Sequence, residues 1–196
     1  MRALILAHDK FTPITAKTGV CLLRYRRGDI VAVVDRARAG SDAGEVLPEA
    51  RGVPVVRSVA EALRLEPDTL FIGIAPVGGD LPQDWRDDLK AAVERGMTIV
   101  SGLHLFLGDD PELSALAAQH GAKLVDVRRP PARRRVANGD ARFVEGAVVL
   151  TVGTDCSTGK MTASVELHRE ALQRGLPSAF VATGQTGIMV GCDEGV

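Results

Sequence analysis

The sequence predicts an α/β protein in which a parallel, doubly wound sheet is followed by the start of a second α/β domain. Three observations predict it. Over the first two thirds of the chain, short runs of Val, Ile and Leu alternate with helical patterns. Those runs are continuously apolar rather than alternating, as strands buried on both faces are. After a polar break, a further apolar run leads into a loop ending in Gly159-Lys160 and then into a helix-like segment. Alternation of this kind places strands in parallel with crossover helices between them.

The strand candidates are residues 3–7, 30–34, 53–56, 69–74, 98–100 and 123–127, each rich in Val, Ile or Leu. Helix candidates lie between them at 16–26, 58–65, 82–95 and 111–119. Ser58 followed by Glu61 is an N-cap signature, and Gly96 and Gly121 stand where C-terminal caps belong. From Arg128 onward the composition turns to Arg, Pro, Asn and Gly without apolar periodicity, which marks a linker. The expected organisation is a doubly wound domain over residues 1–130, a linker over 131–145 and a phosphate-loop domain over 146–196. The last part reads as a single β-α-β unit: a strand at 147–152, a helix at about 160–174 stopped by Gly175, and a strand at 179–182. About fifty residues are few for a domain that must bury both faces of a sheet, so the second domain is expected to be incomplete, with the rest in a longer polypeptide or another chain. A half-built sheet has open edges that invite pairing, so a homo-oligomer is expected.

Composition narrows the classes of function. In a chain of 196 residues with 45% hydrophobic and 25% charged residues, Lys and Arg total 24 against 25 Asp and Glu, for a formal net charge of −1. No overall field draws such a molecule to nucleic acid or to an anionic membrane. The one dense basic cluster, Arg128, Arg129, Arg133, Arg134 and Arg135, is interrupted by Pro130 and Pro131 and reads better as a solvated linker than as a phosphate contact. Cys21, Cys156 and Cys192 are isolated, without C-x-x-C spacing or a His pair, which argues against zinc and for a reducing compartment. No apolar run reaches membrane-spanning length and no secretory signal shape is visible, so a cytoplasmic protein with a small-molecule substrate is expected.

The most informative segment is the run from Val148 to Val152 and the loop after it, Gly153-Thr154-Asp155-Cys156-Ser157-Thr158-Gly159-Lys160-Met161-Thr162. A loop of this kind converges backbone N–H groups on an anion, with the positive end of the next helix behind them and a Lys reaching the outer phosphates. The candidate binding residues are therefore Thr154, Asp155, Cys156, Ser157, Thr158, Gly159, Lys160, Met161 and Thr162. Two positions depart from the usual pattern. Thr154 stands where the first small residue, normally Gly, belongs, and Met161 replaces the Ser or Thr that would ligate Mg²⁺. Thr162 is rotated by about 100° on the helix, so it takes that place only in a reshaped loop. Phosphate binding is thus better supported than ATP hydrolysis, and a role for Mg²⁺ is doubtful. The strand at 179–182 ends in Thr183-Gly184-Gln185, a second loop expected beside the first because adjacent parallel strands deliver their loops to one edge.

In the first domain the residues just after each strand are the functional candidates. These are His8, Asp9, Asp35, Arg36, the loop 75–79, Ser101 to His104, and Asp126. Asp35 stands where a ribose-binding carboxylate would, and Gly78-Gly79 could approach a phosphate. The first loop lacks G-x-G-x-x-G, which argues against a nicotinamide cofactor. His104 is the candidate general acid or base, a catalytic role that needs the two domains to face one another. His120 and His168 read as helix-surface residues.

Residues 153–162, together with Phe180-Val181-Ala182-Thr183-Gly184-Gln185-Thr186-Gly187-Ile188-Met189, resemble the D-glutamate N-acetyltransferase-like family, long described only as a domain of unknown function. The resemblance extends through Ala16-Lys17-Thr18-Gly19, Ile72-Gly73-Ile74-Ala75-Pro76, Ser101-Gly102-Leu103-His104 and Asp126-Val127-Arg128-Arg129-Pro130-Pro131, nearly the whole chain. It implies a Rossmann-like N-terminal domain, a C-terminal P-loop domain and, in some members, acetyl transfer from acetyl-CoA to D-glutamate. Met after the Lys belongs to that family's pattern. The loop is also similar to that of dethiobiotin synthetase, which leaves ATP as the other candidate ligand, in a carboxylate-phosphorylating enzyme or in a non-catalytic nucleotide-binding module.

Overall fold

Six short strands, Ala3–Leu6 (β1), Ile30–Val34 (β2), Val55–Val56 (β3), Thr69–Ile72 (β4), Thr98–Ser101 (β5) and Lys123–Asp126 (β6), pair entirely in parallel. Their order is β3-β2-β1-β4-β5-β6, so the winding reverses between β1 and β4. The computed structural model describes residues 1–74, 81–131, 138–155 and 158–195, and the chain divides into two units, Met1–Arg128 and Arg129–Val196. All six expected strands of the first unit are present, within two residues of the sequence reading at most ends.

Burial follows position in the sheet. Every residue of β1 is fully buried and β4 is buried throughout, whereas edge strand β6 alternates exposed and half-buried. The crossovers contain Lys17–Tyr25 (α1), Val59–Ala62 (α2), Arg86–Glu94 (α3) and Pro111–His120 (α4). Ser58 caps α2 by accepting from the Glu61 N–H at 3.2 Å, while the Glu61 carboxylate accepts from the Arg57 N–H at 2.9 Å. Gly96 and Gly121 both close their helices in the left-handed conformation, at φ +74° and +69°. At Gly96 the Met97 N–H reaches the Ala92 carbonyl and the Gly96 N–H that of Val93, at 3.1 and 2.8 Å.

The switch point is held by direct backbone contact. The Gly19 N–H of α1 donates to the Gly73 carbonyl just beyond β4, at 2.8 Å. A Cβ on Gly73 would stand 2.4 Å from Ile5 Cγ2 and 3.3 Å from Gly19 Cα. Only two glycines allow the helix to lie this close to the central strands.

α3 packs on α4 across a charged contact. Arg86 pairs with Asp110 at 2.8 Å and Glu112 at 2.7 Å, Lys90 joins Glu112, and Asp110 caps α4 by accepting from the Glu112 and Leu113 N–H groups. The Arg86 hydrogen bond holds the Asp110 carboxyl below its ordinary value, and Lys90, then Arg86, do the same for Glu112.

The second unit departs from expectation. Residues 147–152 form no strand: Val148, Val149, Leu150 and Val152 are 73 to 79% exposed and have no ladder partner among the described residues. A strand exists by pairing, and an apolar run does not supply its own neighbour. The unit instead contains Lys160–Gln173 (α5), Val181–Ala182 (β7), Gln185–Val190 (α6) and Glu194–Gly195 (β8), with β7 and β8 parallel. The β-α-β unit is therefore β7-α6-β8, one step later in the chain than expected. Glu194 opens a strand, and Asp193 before it accepts the Phe180 N–H at 2.6 Å. Among the described residues, no helix is long and apolar enough to cross a membrane.

Two outcomes follow for stability. Gly73→Ala overpacks the switch point and should cost about 1–3 kcal/mol in a denaturant titration, whereas Gly28→Ala, which meets nothing within 4 Å, should leave the midpoint nearly unchanged. Because Asp110 and Glu112 have lowered folded-state values, their contribution is complete above the ordinary carboxylate range and is lost as pH falls through the lowered values. Denaturation midpoints should therefore fall on acidification below about pH 4, less steeply in Arg86→Met.

Candidate phosphate-binding site

The carboxyl ends of the strands in the N-terminal unit are occupied largely by the protein's own backbone. Asp35 is 1% exposed; its carboxylate accepts from the Asp9 and Ala37 N–H groups at 3.0 and 2.9 Å and from the Phe11 N–H at 3.1 Å. It anchors the loop after β1 and does not stand free for a ribose. Asp126 likewise accepts from the Leu107 and Gly108 N–H groups at 2.8 and 2.9 Å. Buried Ser101 accepts from the Leu103 N–H through its hydroxyl.

His8 is also structural. The Arg36 N–H donates to its Nδ1 at 3.2 Å, so Nε2 carries the proton and donates to Asp88 at 2.7 Å. The ring meets Trp85 edge-on, with centroids 5.5 Å apart, and Arg36 bridges Asp9 and Asp84 beside it. Both ring nitrogens are engaged, so His8 has no lone pair left for acid–base work. His104 differs: it lies exposed in the bend after β5, and no partner is assigned to it among the described residues. His120 ends α4 at the surface, while His168 is half-buried on α5, hydrogen-bonded to Ser178 at 3.0 Å and tilted against Phe180. In the basic cluster, Arg128 donates to the Gly102 carbonyl at 2.7 Å. Arg133, Arg134 and Arg135 lie outside the described residues, as does the loop 75–79.

In the second unit the candidate loop ends at Gly159, which caps α5 at φ +96° without a side-chain cap. Gly159 has no side chain with which to cap the first N–H groups of α5, and a helix start of this kind suits an anion. Lys160 opens the helix and folds back over the loop: its ammonium donates to the Asp155 carbonyl at 2.5 Å and approaches the Thr158 hydroxyl at 3.3 Å. A Cβ on Gly153 would lie 2.7 Å from the Thr158 hydroxyl and 3.4 Å from the Lys160 stem, so the loop closes tightly on its own base. Thr154, Asp155, Thr158 and Gly159 are exposed, Met161 and Thr162 half-buried, and Cys156 and Ser157 lie outside the described residues.

A cavity of about 280 Å³ opens beside this helix start. Lys160, Met161 and Ser164 line it from α5, Val149 to Thr151 from the preceding run, and Phe180 to Gly187 from β7 and the start of α6. The structure thus brings Lys160 and Met161 together with Thr183, Gly184 and Gln185; Thr154, Asp155, Thr158, Gly159 and Thr162 are not among its lining residues. Thr151 and Ser164 were not evident from the motif. Their hydroxyls meet at 2.8 Å, and Ser164 donates to the Lys160 carbonyl at 3.2 Å, tying the run before the loop to the first turn after it. Ser164 is one helical turn beyond Lys160, and that spacing is the signal that would have found it.

Comparison with known proteins agrees with this division. Residues 36–130 match the profile of a domain of unknown function, DUF1611_N, described as a Rossmann-like domain, and residues 135–196 match DUF1611_C, described as a P-loop domain. The chain belongs to the DUF1611 family. A DUF1611 crystal structure from Anabaena variabilis is 49% identical, with a TM-score of 0.87 over 96% of this chain and 54% of its own. A D-glutamate N-acetyltransferase of Tritonibacter scottomollicae is 36% identical over 187 residues, 95% of this chain and 53% of the relative. Another protein of that name, from a Pseudoalteromonas species, is 40% identical over 133 residues, 68% of this chain and 40% of the relative. This DUF1611 chain spans about half the length of the curated relatives it matches.

The reassignment of Asp35 is open to test. Asp35→Asn replaces one carboxylate oxygen by an N–H donor facing backbone N–H groups, and it should destabilise the chain by about 1–3 kcal/mol in a denaturant titration. A stability equal to wild type would return Asp35 to the pool of ligand-facing residues.

Proposed function

We propose that this chain carries the phosphate-loop portion of an N-acetyltransferase that uses acetyl-CoA to acylate D-glutamate or a similar amino acid. The observation that carries the reading is the cavity at the start of α5. It joins Lys160 to an apolar wall of Val149, Leu150, Met161 and Phe180 and to the polar turn at Thr183 and Gln185. That combination suits a ligand with a phosphate group and a long, weakly polar arm. The names of the curated relatives support the same reaction.

Acyl transfer demands little covalent chemistry from the protein. The acceptor nitrogen attacks the thioester carbonyl carbon, a C–N bond forms, the C–S bond breaks, and the sulfur leaves with the electron pair. The ammonium form of the acceptor must first lose a proton to a base, and the protein then contributes alignment and a partner for the carbonyl oxygen. In this reading Lys160 and the N–H groups at Thr158 and Gly159 hold phosphate. His104, exposed and with no partner among the described residues, is the candidate base. ATP would occupy the same loop in an enzyme like dethiobiotin synthetase or in a non-catalytic nucleotide-binding module, and binding preference separates these readings.

Lys160→Ala removes the charged contact and should weaken acetyl-CoA binding by about 1.5–3 kcal/mol in a calorimetric titration of the folded variant. Unchanged affinity would remove the loop from the site, and a preference for ATP over acetyl-CoA would move the reading to a nucleotide enzyme or module.

A further inference from the structure

Phosphate loops commonly act with Mg²⁺, so the residues at this one need to be weighed against what that ion requires. Mg²⁺ takes oxygen ligands in a nearly ideal octahedral shell and gives up its waters reluctantly. A hydroxyl directly after the Lys is the protein's usual contribution. Here that position is Met161, whose side chain lines the cavity beside Lys160. A thioether is a soft donor, unsuited to this hard cation.

The other oxygen donors of the cavity lining, at Thr183, Gln185 and Thr186, are neutral and bring no charge to a divalent cation. None of the cavity's described lining residues is an Asp or Glu. Asp155 gives its main-chain carbonyl to Lys160, and the Asp193 carboxylate accepts the Phe180 N–H. The hydroxyls of Thr151 and Ser164 are bonded to one another, with Ser164 bonded onward to the Lys160 carbonyl. Thr162, the nearest hydroxyl in sequence, does not line the cavity. Among the described residues these donors do not fit Mg²⁺.

We infer that this site takes its phosphorylated ligand without a divalent cation, and that Met161 is the residue that sets this specificity. The inference rests on the reading that the loop holds phosphate. It deepens that reading by naming the ligand class: a metal-free phosphorylated acyl carrier rather than a metal–nucleoside triphosphate. Lys160 and the start of α5 then supply the positive charge that a metal would otherwise bring. Met161 puts an apolar side chain at the metal position, in a cavity that Phe180 and Leu150 also line.

The test is calorimetric titration of the full chain and of Met161→Thr and Met161→Leu with acetyl-CoA and, separately, with ATP, each in excess EDTA and in excess Mg²⁺. Wild type and Met161→Leu should bind acetyl-CoA with affinities that differ by less than about twofold between the two conditions, while Met161→Thr should bind ATP about tenfold more tightly with Mg²⁺ than without. Tightening of the wild type by about tenfold on adding Mg²⁺ would overturn the inference while leaving phosphate binding intact. Metal indifference in Met161→Thr would remove Met161 as the determinant. No heat from either ligand in either condition would overturn the phosphate-loop reading itself. Thermal melts establish that each variant is folded; should the Thr variant fail to fold, the wild-type titrations still decide the matter.

Discussion

The backbone amides of tight loops need acceptors, and this chain supplies them again and again with aspartate. A strand buried in a parallel sheet ends in a turn whose N–H groups face inward, away from water, and each one left unpaired is costly. Asp35 serves three such amides after β1 and β2, and Asp126 serves two in the segment after β5. Asp42 holds Gly44 and Gly52, Asp110 caps α4, and Asp88 joins the Val59 N–H at the start of α2 to His8 at the end of β1.

This constraint divides the chemistry of the chain. At the sheet edge of the N-terminal unit, where an open α/β fold would normally receive a ligand, Asp35 and Asp126 are already hydrogen-bonded to backbone and Asp9 is paired with Arg36. They act as frame. In the C-terminal unit the balance differs: Gly159 gives the start of α5 no side-chain cap, Lys160 stands beside it, and the cavity's described lining lacks an acid. That setting suits an anion. Lys160 meanwhile rests on the Asp155 carbonyl, a contact that a phosphate oxygen would replace with a stronger, charge-assisted one.

The sheet was legible in the sequence because its central strands are continuous apolar runs, and burial on both faces demands that pattern. Caps at Ser58, Gly96 and Gly121 were legible for a similarly local reason: their chemistry is read within four residues. The run Val148 to Val152 carries the same apolar signal and yet forms no strand, since pairing depends on a neighbour that the run does not encode. Asp35 misled in another way. A carboxylate at a strand end has the same sequence signature whether it faces a ribose or three backbone amides, and only the path of the loop decides. Lys160 and its loop were visible from spacing alone; the pairing of Thr151 with Ser164 was not, because it joins two segments on either side of the motif.

The proposed function puts a phosphorylated ligand at the start of α5 and not at the carboxyl edge of the N-terminal sheet. Hydrogen–deuterium exchange of the full chain with and without acetyl-CoA separates the two places. Slowed exchange is expected only at the amides from Thr158 to Thr162 and from Thr183 to Gly187. Protection of the loop from His8 to Ala16, with none at Gly159 and Lys160, would contradict it.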